Sequence, residues 1–209
     1  VKIYYKIEFF SYWHAGSGLS VAGDVDAAVL KDKQGLPYLP GKTLKGLLRD
    51  AAEQLLSFGR GSQEQVQKIF GLETAKQERS KEEKEEEIEG FGQAYFSNAL
   101  LADDLVAQLQ ALVPQGNYTK KERDRMFKQV AAPILYSKIA STAIDDETGT
   151  AQKSTLRKME VAVPMVFFAH VDHVTEEDKP FLLEAMQMVK RMGVQRHRGL
   201  GRCEFSILA

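Results

Sequence analysis

Extended and helical periods alternate along this chain in an order that few folds can accommodate. Residues 2–13, KIYYKIEFFSYW, are rich in aromatic and β-branched side chains and run into HAGSG, which predicts a long first strand. LPYLPGKTLKGLLRDAAEQLLSF begins with two prolines that enforce an extended approach, and a helix is expected from Gly41. Leu44, Leu47, Leu48, Ala51, Leu55 and Leu56 recur there at helical spacing, while Lys42, Lys45 and Arg49 share another face. Gly46 lies inside that helix, where glycine costs about 1 kcal/mol against alanine, so close approach of a backbone or ligand is expected. GQAYFSNALLA, residues 92–102, predicts a second strand, and residues 103–117 a short helix. VPMVFFAHVDHV is the third core strand, TEEDKPFLLEAMQMVKRMG the second main helix, and CEFSILA the last strand.

The turn signal DDETG divides residues 138–163 into two β-rich arms, a polar hairpin too hydrophilic to be core throughout. The order is therefore β-α-β, hairpin, β-α-β. That is the ferredoxin-like α+β fold, the βαββαβ palm also used by the RNA-recognition motif, here with a protruding β-hairpin. At 209 residues the chain reads as a single domain, 1–209. Residues 60–90, centred on RSKEEKEEEIEG, read as a solvated acidic insertion.

Composition narrows the function. Residues 73–90 carry eight acidic and four basic residues, whereas the whole chain is only −1, so the remaining body is net positive. A mildly basic body is compatible with nucleic-acid binding. One cysteine, Cys203, excludes an internal disulfide, and no Cys/His set has zinc spacing. With no signal peptide and no apolar run of the roughly 18 residues a membrane helix needs, the chain reads as cytoplasmic. Val1 in place of Met leads us to expect a start that is trimmed or missing.

Several short motifs bear on chemistry. GKT at residues 41–43 fails as a phosphate-binding loop, because Gly35 is one residue too far upstream and Pro37 and Pro40 lack N–H donors. Lys42 and Lys45 at a helix start remain good phosphate contacts. His14, Asp24, Asp26 and Asp32 lie in a glycine-broken region, where the aspartates fit ordinary turns. A magnesium ion needs only one or two of them if phosphates supply other ligands. Asp145, Asp146 and Glu147 fit a hairpin tip, and His170 and His173 point to opposite faces of a strand and read as structural. Arg196, His197, Arg198 and Arg202 around Gly199 and Gly201 form a basic glycine loop built for close approach of phosphate.

Three segments together, AGDVDAAVLKDKQGLPYLPGKTLKGLLRDAAE, STAIDDETGTAQKSTLRKMEVAVP and GVQRHRGLGRCEFSI, resemble the RAMP superfamily of CRISPR-associated proteins, and most of all the backbone subunit of type III interference complexes. The resemblance spans nearly the whole chain apart from the acidic insertion. It implies a palm with the hairpin as thumb, and copies stacked along a guide RNA. It also implies a guide backbone held by Lys42, Lys45, Arg49, Arg196, Arg198 and Arg202. The thumb around residues 142–151, with Thr142 and Thr150, would wedge between guide and target and splay a base at regular intervals. Asp26 matches the aspartate of the RNA-cleaving members, with Asp24 second. The family more often has a polar residue and a proline after that aspartate, where this chain has Ala27 and Ala28.

The expected function is a guide-RNA-binding backbone subunit that cleaves bound target RNA with Mg2+ or Mn2+ held by Asp26 and RNA phosphates. Its partners would be guide RNA, target RNA, other effector subunits and further copies of itself. The alternatives are a non-catalytic scaffold of the same complex, a metal-independent guide-processing endonuclease using His14 as general acid/base, and an unrelated RNA-binding domain.

Overall fold

The computed structural model describes residues 1–18, 20, 25–72, 91–152 and 155–208. Its central sheet is antiparallel. β1 (Ile3–Phe9) lies between β6 (Val166–Asp172) and β7 (Cys203–Ile207), and β6 pairs on its other edge with β2 (Tyr95–Phe96) and β3 (Leu100–Leu101). The order β2-β6-β1-β7 is that of the ferredoxin-like fold.

Period-two alternation decides which face is covered. Ile3, Tyr5, Ile7 and Phe9 of β1 share a core with Leu44, Leu48 and Leu55 of α1 (Gly41–Ser57) and Leu182 and Ala185 of α5 (Lys179–Met188). The opposite face leaves Tyr4, Tyr95, Leu100 and Phe168 exposed. Among the described residues, no helix is long and apolar enough to cross a membrane.

The expected second strand is broken in two. Ser97 Oγ accepts the His170 N–H at 2.8 Å, and the Asn98 side chain turns to accept the Gly41 N–H at 2.9 Å. These side-chain bonds interrupt the ladder between β2 and β3 and satisfy one free donor at the start of α1. Gly41 is required there, since a Cβ would lie 2.0 Å from the Phe96 carbonyl oxygen.

The segment expected to be an acidic insertion from residue 60 begins as part of the body. α2 (Gln63–Phe70) opens with a reciprocal capping box between Ser62 and Gln65 and buries Val66, Ile69 and Phe70. Asp178, 3 % exposed, accepts from Lys68 Nζ at 2.7 Å and from Thr175 Oγ1 at 2.6 Å, which ties α2 to the approach to α5. Residues 73–90, which hold the acidic run, lie outside the described residues.

α3 (Asp103–Ala111) begins where a helix is expected, but it is followed by a further helix that the sequence reading does not anticipate. α4 (Lys120–Leu135) starts at a Thr119–Glu122 capping box and buries Phe127, Ala131 and Leu135. It feeds directly into β4 (Tyr136–Ser141), which pairs antiparallel with β5 (Arg157–Ala162) as a separate two-stranded arm.

Burial pushes the Asp178 carboxyl up, but hydrogen bonds from Lys68, Thr175 and Gln65 outweigh it and hold it below the usual carboxylate range. A depressed folded pKa means stabilisation that is present above the ordinary value near ~3.9 and lost as pH falls through the folded value. Asp178→Asn should therefore lower the Tm at neutral pH, and the gap to the native protein should close in acid, as thermal melts across a pH series would show.

Candidate nucleic-acid interface

The chain leaving β1 is gripped on both sides. Along one edge, the Gly201 N–H donates to Tyr12 O at 2.8 Å and the Val194 N–H to His14 O at 2.9 Å. Along the other, Trp13 and Ala162 exchange main-chain bonds of 3.1 and 2.8 Å. Residues 10–14 thus join the glycine loop to the base of the thumb.

The loop is further closed on itself. Met192 N–H donates to Gly201 O, and Cys203 N–H to Lys190 O, each at 2.9 Å. Between these clamps Arg196–Arg198 forms one 3-10 turn, flanked by Gln195 at φ 57° and Gly199 at φ 89°. Arg196, His197, Arg198 and Arg202 are all exposed, and none has an ion pair among the described residues. The Arg202 guanidinium carbon sits 5.8 Å from the centre of the exposed Phe10 ring. Forked donors on a main-chain-held loop, without ion pairs among the described residues, suit phosphate.

α1 presents its charges unevenly. Lys42 is exposed; Lys45 is half-buried, and burial first and Arg49 second pull its pKa down. Arg49 is half-buried and engaged by Glu53, Nε to Oε1 at 3.0 Å. The face turned toward the glycine loop carries Thr43, Leu47 and Asp50 instead. These residues, with Trp13, His14 and the loop from Met192 to His197, line a cavity of about 590 Å³. No atom of the described residues approaches Gly46: nothing lies within 4 Å of an added Cβ.

His14 lies in the wall of this cavity. It is 2 % exposed, and its Nδ1 lies 2.6 Å from Glu160 O. A carbonyl only accepts, so Nδ1 carries a hydrogen and the ring's orientation is fixed. Burial and this bond fix the position of the ring in the cavity wall.

Asp26 is exposed and laced to the thumb. Its N–H donates to Lys158 O at 2.8 Å, and its Oδ2 accepts the Lys158 N–H at 2.7 Å. Asp24 lies outside the described residues. Beyond Asp26, Ala27 O accepts from Glu160 N, and the Glu160 carboxylate takes the Val29 N–H at 3.0 Å and Lys31 Nζ at 2.7 Å. Lys31 also sits 4.1 Å from the centre of the Tyr136 ring. Glu160 and Lys31 escape a sequence reading, because nothing local in KMEVAVP announces a partner more than a hundred residues away. Among the described residues no group of three His, Cys, Asp or Glu side chains could hold a metal ion.

At the thumb tip Asp145 Oδ1 accepts from Glu147 and Thr148, so the acidic cluster is the expected turn. Thr142 and Thr150 are exposed but already engaged, with Thr155 and Thr148 respectively, each at 2.8 Å.

The sequence matches the family profile described as RAMPs, RAMP superfamily, over residues 6–204. The chain belongs to the RAMP superfamily. No curated protein matches it. Among solved structures, this RAMP chain resembles one in the cryo-EM structure of the type III-B Cmr-beta complex bound to cognate target RNA, with a TM-score of 0.64 at 14 % identity, covering 99 % of this chain and 97 % of that one. A second is in the apo state of the type III-B Cmr-beta complex, at TM-score 0.65 and 13 % identity, with the same coverage.

The glycines of the RAMP loop differ in what they permit. Gly201 has φ 70° and an added Cβ would lie 1.8 Å from Met192 O, whereas Gly199 has φ 89° with open space around it. Gly201→Ala should cost more than about 2 kcal/mol through strain and backbone clash, and Gly199→Ala about 1 kcal/mol. Denaturant melts of the two variants test this order.

Proposed function

We propose that this chain is a guide-RNA-binding backbone subunit of a type III CRISPR effector that cleaves the target RNA paired to the guide. The observation that carries the reading is the glycine loop: exposed cations without ion pairs among the described residues, held rigidly by main-chain bonds, in a RAMP chain whose fold matches chains of type III-B complexes. Lys42 and the loop would grip the guide backbone, with Lys45 and Arg49 contributing less because Lys45 is half-buried and Arg49 pairs with Glu53. The thumb would reach over the duplex, and further copies would stack along the guide.

Binding through the backbone is tolerant of sequence. Replacing Arg196, Arg198 and Arg202 by Ala should weaken all single strands alike. The log–log salt dependence should flatten by about 0.7 for each phosphate that the variant no longer neutralises. An unchanged salt slope in filter-binding titrations would remove the loop from the interface.

For cleavage, Asp26 is the candidate. Its second carboxylate oxygen has no hydrogen-bond partner among the described residues, so it can hold a Mg2+ or Mn2+ ion only together with RNA phosphates and water. When bound, such an ion would stabilise charge developing on the scissile phosphate. The target's 2′-oxygen would bond to the adjacent phosphorus as the 5′-oxygen leaves, giving a cyclic phosphate and a 5′-hydroxyl. Lys158 and Glu160 would keep the Asp26 loop against the thumb while this happens. Asp26→Asn retains an acceptor for the Lys158 N–H, so it should preserve folding and RNA binding and abolish cutting. Full cleavage by that variant in guide-loaded complex with Mg2+ would overturn the role. A scaffold without catalysis is the second reading, favoured by the structural use of Asp26 Oδ2. A native complex that binds but never cuts would establish it.

A further inference from the structure

We propose that α4 and the turn at Lys33 form a docking surface for a glutamate-rich segment of a neighbouring protein chain, a site separate from the RNA contacts above and independent of them. α4 carries five basic and two acidic residues. Lys121, Arg125 and Lys128 follow at i, i+4 and i+7, so they form one stripe along the helix, about 10 Å long at the helical rise per residue. All three are exposed, and none has an ion pair among the described residues. Like charges at this spacing destabilise a helix unless an opposite charge lies against them. The acids of α4 are placed elsewhere: Glu122 closes the cap with Thr119, and Asp124 lines the adjacent cavity.

The surface is held from the side. Asp32 Oδ1 accepts the N–H groups of Gln34 and Leu36 at 2.8 and 2.9 Å, and the Tyr136 hydroxyl donates to Gly35 O at 2.8 Å, which fixes the turn of residues 32–36. The Lys128 stem lies against this turn, its Cγ 3.0 Å from where a Cβ on Gly35 would stand. Lys33, on the same turn, is exposed and has no ion pair among the described residues. Next to it, Gln34, Gln110, Gln115, Val113, Pro114 and Asp124 line a cavity of about 640 Å³; Val113 is half-buried and the other five are exposed. Three side-chain amides, each both donor and acceptor, suit the main chain of a protein segment. Phe127, the one aromatic ring among the described lining residues, is 6 % exposed and offers no face for a base to stack on. The Asp124 carboxylate repels phosphate in the same cavity. Cations beside such a cavity fit an acidic protein segment better than they fit RNA.

This chain itself carries a segment of that chemistry at residues 73–90, with eight acidic and four basic residues, and its sequence supplies the probe. The experiment uses the full RNA-free chain with its own glutamates between residues 82 and 89 changed to glutamine, so that they do not compete. A labelled peptide with the sequence of residues 73–90 is titrated against it by fluorescence anisotropy. The peptide should bind, and more weakly as salt rises. Lys121→Glu with Arg125→Glu should weaken it about tenfold while leaving the Tm and the affinity for single-stranded RNA unchanged. If the reversal lowers the Tm, Lys121→Gln with Arg125→Gln reads the same loss. Replacing Arg196, Arg198 and Arg202 by Ala should do the opposite, weakening RNA and sparing the peptide. Absence of peptide binding would overturn the docking surface and leave the RNA reading intact, as would peptide binding lost with the loop variant and kept by the α4 variant. A loss of RNA affinity in the α4 variant as large as its loss of peptide affinity would assign the stripe to RNA and overturn the protein partner.

Discussion

Everything at the candidate interface depends on the main chain of residues 10–14. As the continuation of β1, this segment still has donors and acceptors on both edges, and both edges are used. Tyr12 and His14 carbonyls hold the glycine loop, while Trp13 pairs with Ala162 at the end of β5 and its indole N–H donates to Val163 O at 3.2 Å. Extended backbone alternates its hydrogen-bonding directions residue by residue, so one short stretch can place two separate RNA-facing parts at fixed distance. Trp13 is fully buried and stacks on Phe9 at 4.6 Å, which anchors that stretch to the core.

Charge is distributed around this frame by whether it is needed internally. Lys31, Lys68 and Arg49 all have carboxylate partners, and two of those partners, Glu160 and Asp178, are largely buried. The Glu160 pair holds loop to thumb and the Asp178 pair helix to helix, while Arg49 and Glu53 pair within α1. The cations of the glycine loop lack such partners among the described residues, and the loop keeps its shape through main-chain bonds instead. A loop already held by main-chain bonds loses little backbone entropy when a polyanion arrives, which is the physical case for binding there.

Local signals make much of this readable. The leucine spacing of α1, the alternation in β1, the DDETG turn and the basic loop each express a period or a turn chemistry carried by neighbouring residues. α4 is equally readable from Thr119, Glu122 and the spacing of Phe127, Ala131 and Leu135, but its charged surface and Pro133 mask it. Ser62 and Gln65 likewise mark α2, whose polar surroundings resemble the acidic run that follows. The break between β2 and β3 is not readable, because it depends on Ser97 and Asn98 bonding to His170 and Gly41 across the fold.

The sequence by itself determined the ferredoxin-like order of elements and the location of the basic loop, since both follow from periodicity and from glycine and arginine placed close together in the chain. Only the tertiary structure decided that His14 is buried with its Nδ1 against Glu160 O, and that Asp26 is tied to the thumb through Lys158. The reason is distance along the chain. His14 and Glu160, and Asp26 and Lys158, are more than a hundred residues apart, so burial and pairing are set by which strands lie side by side, and no local pattern records them.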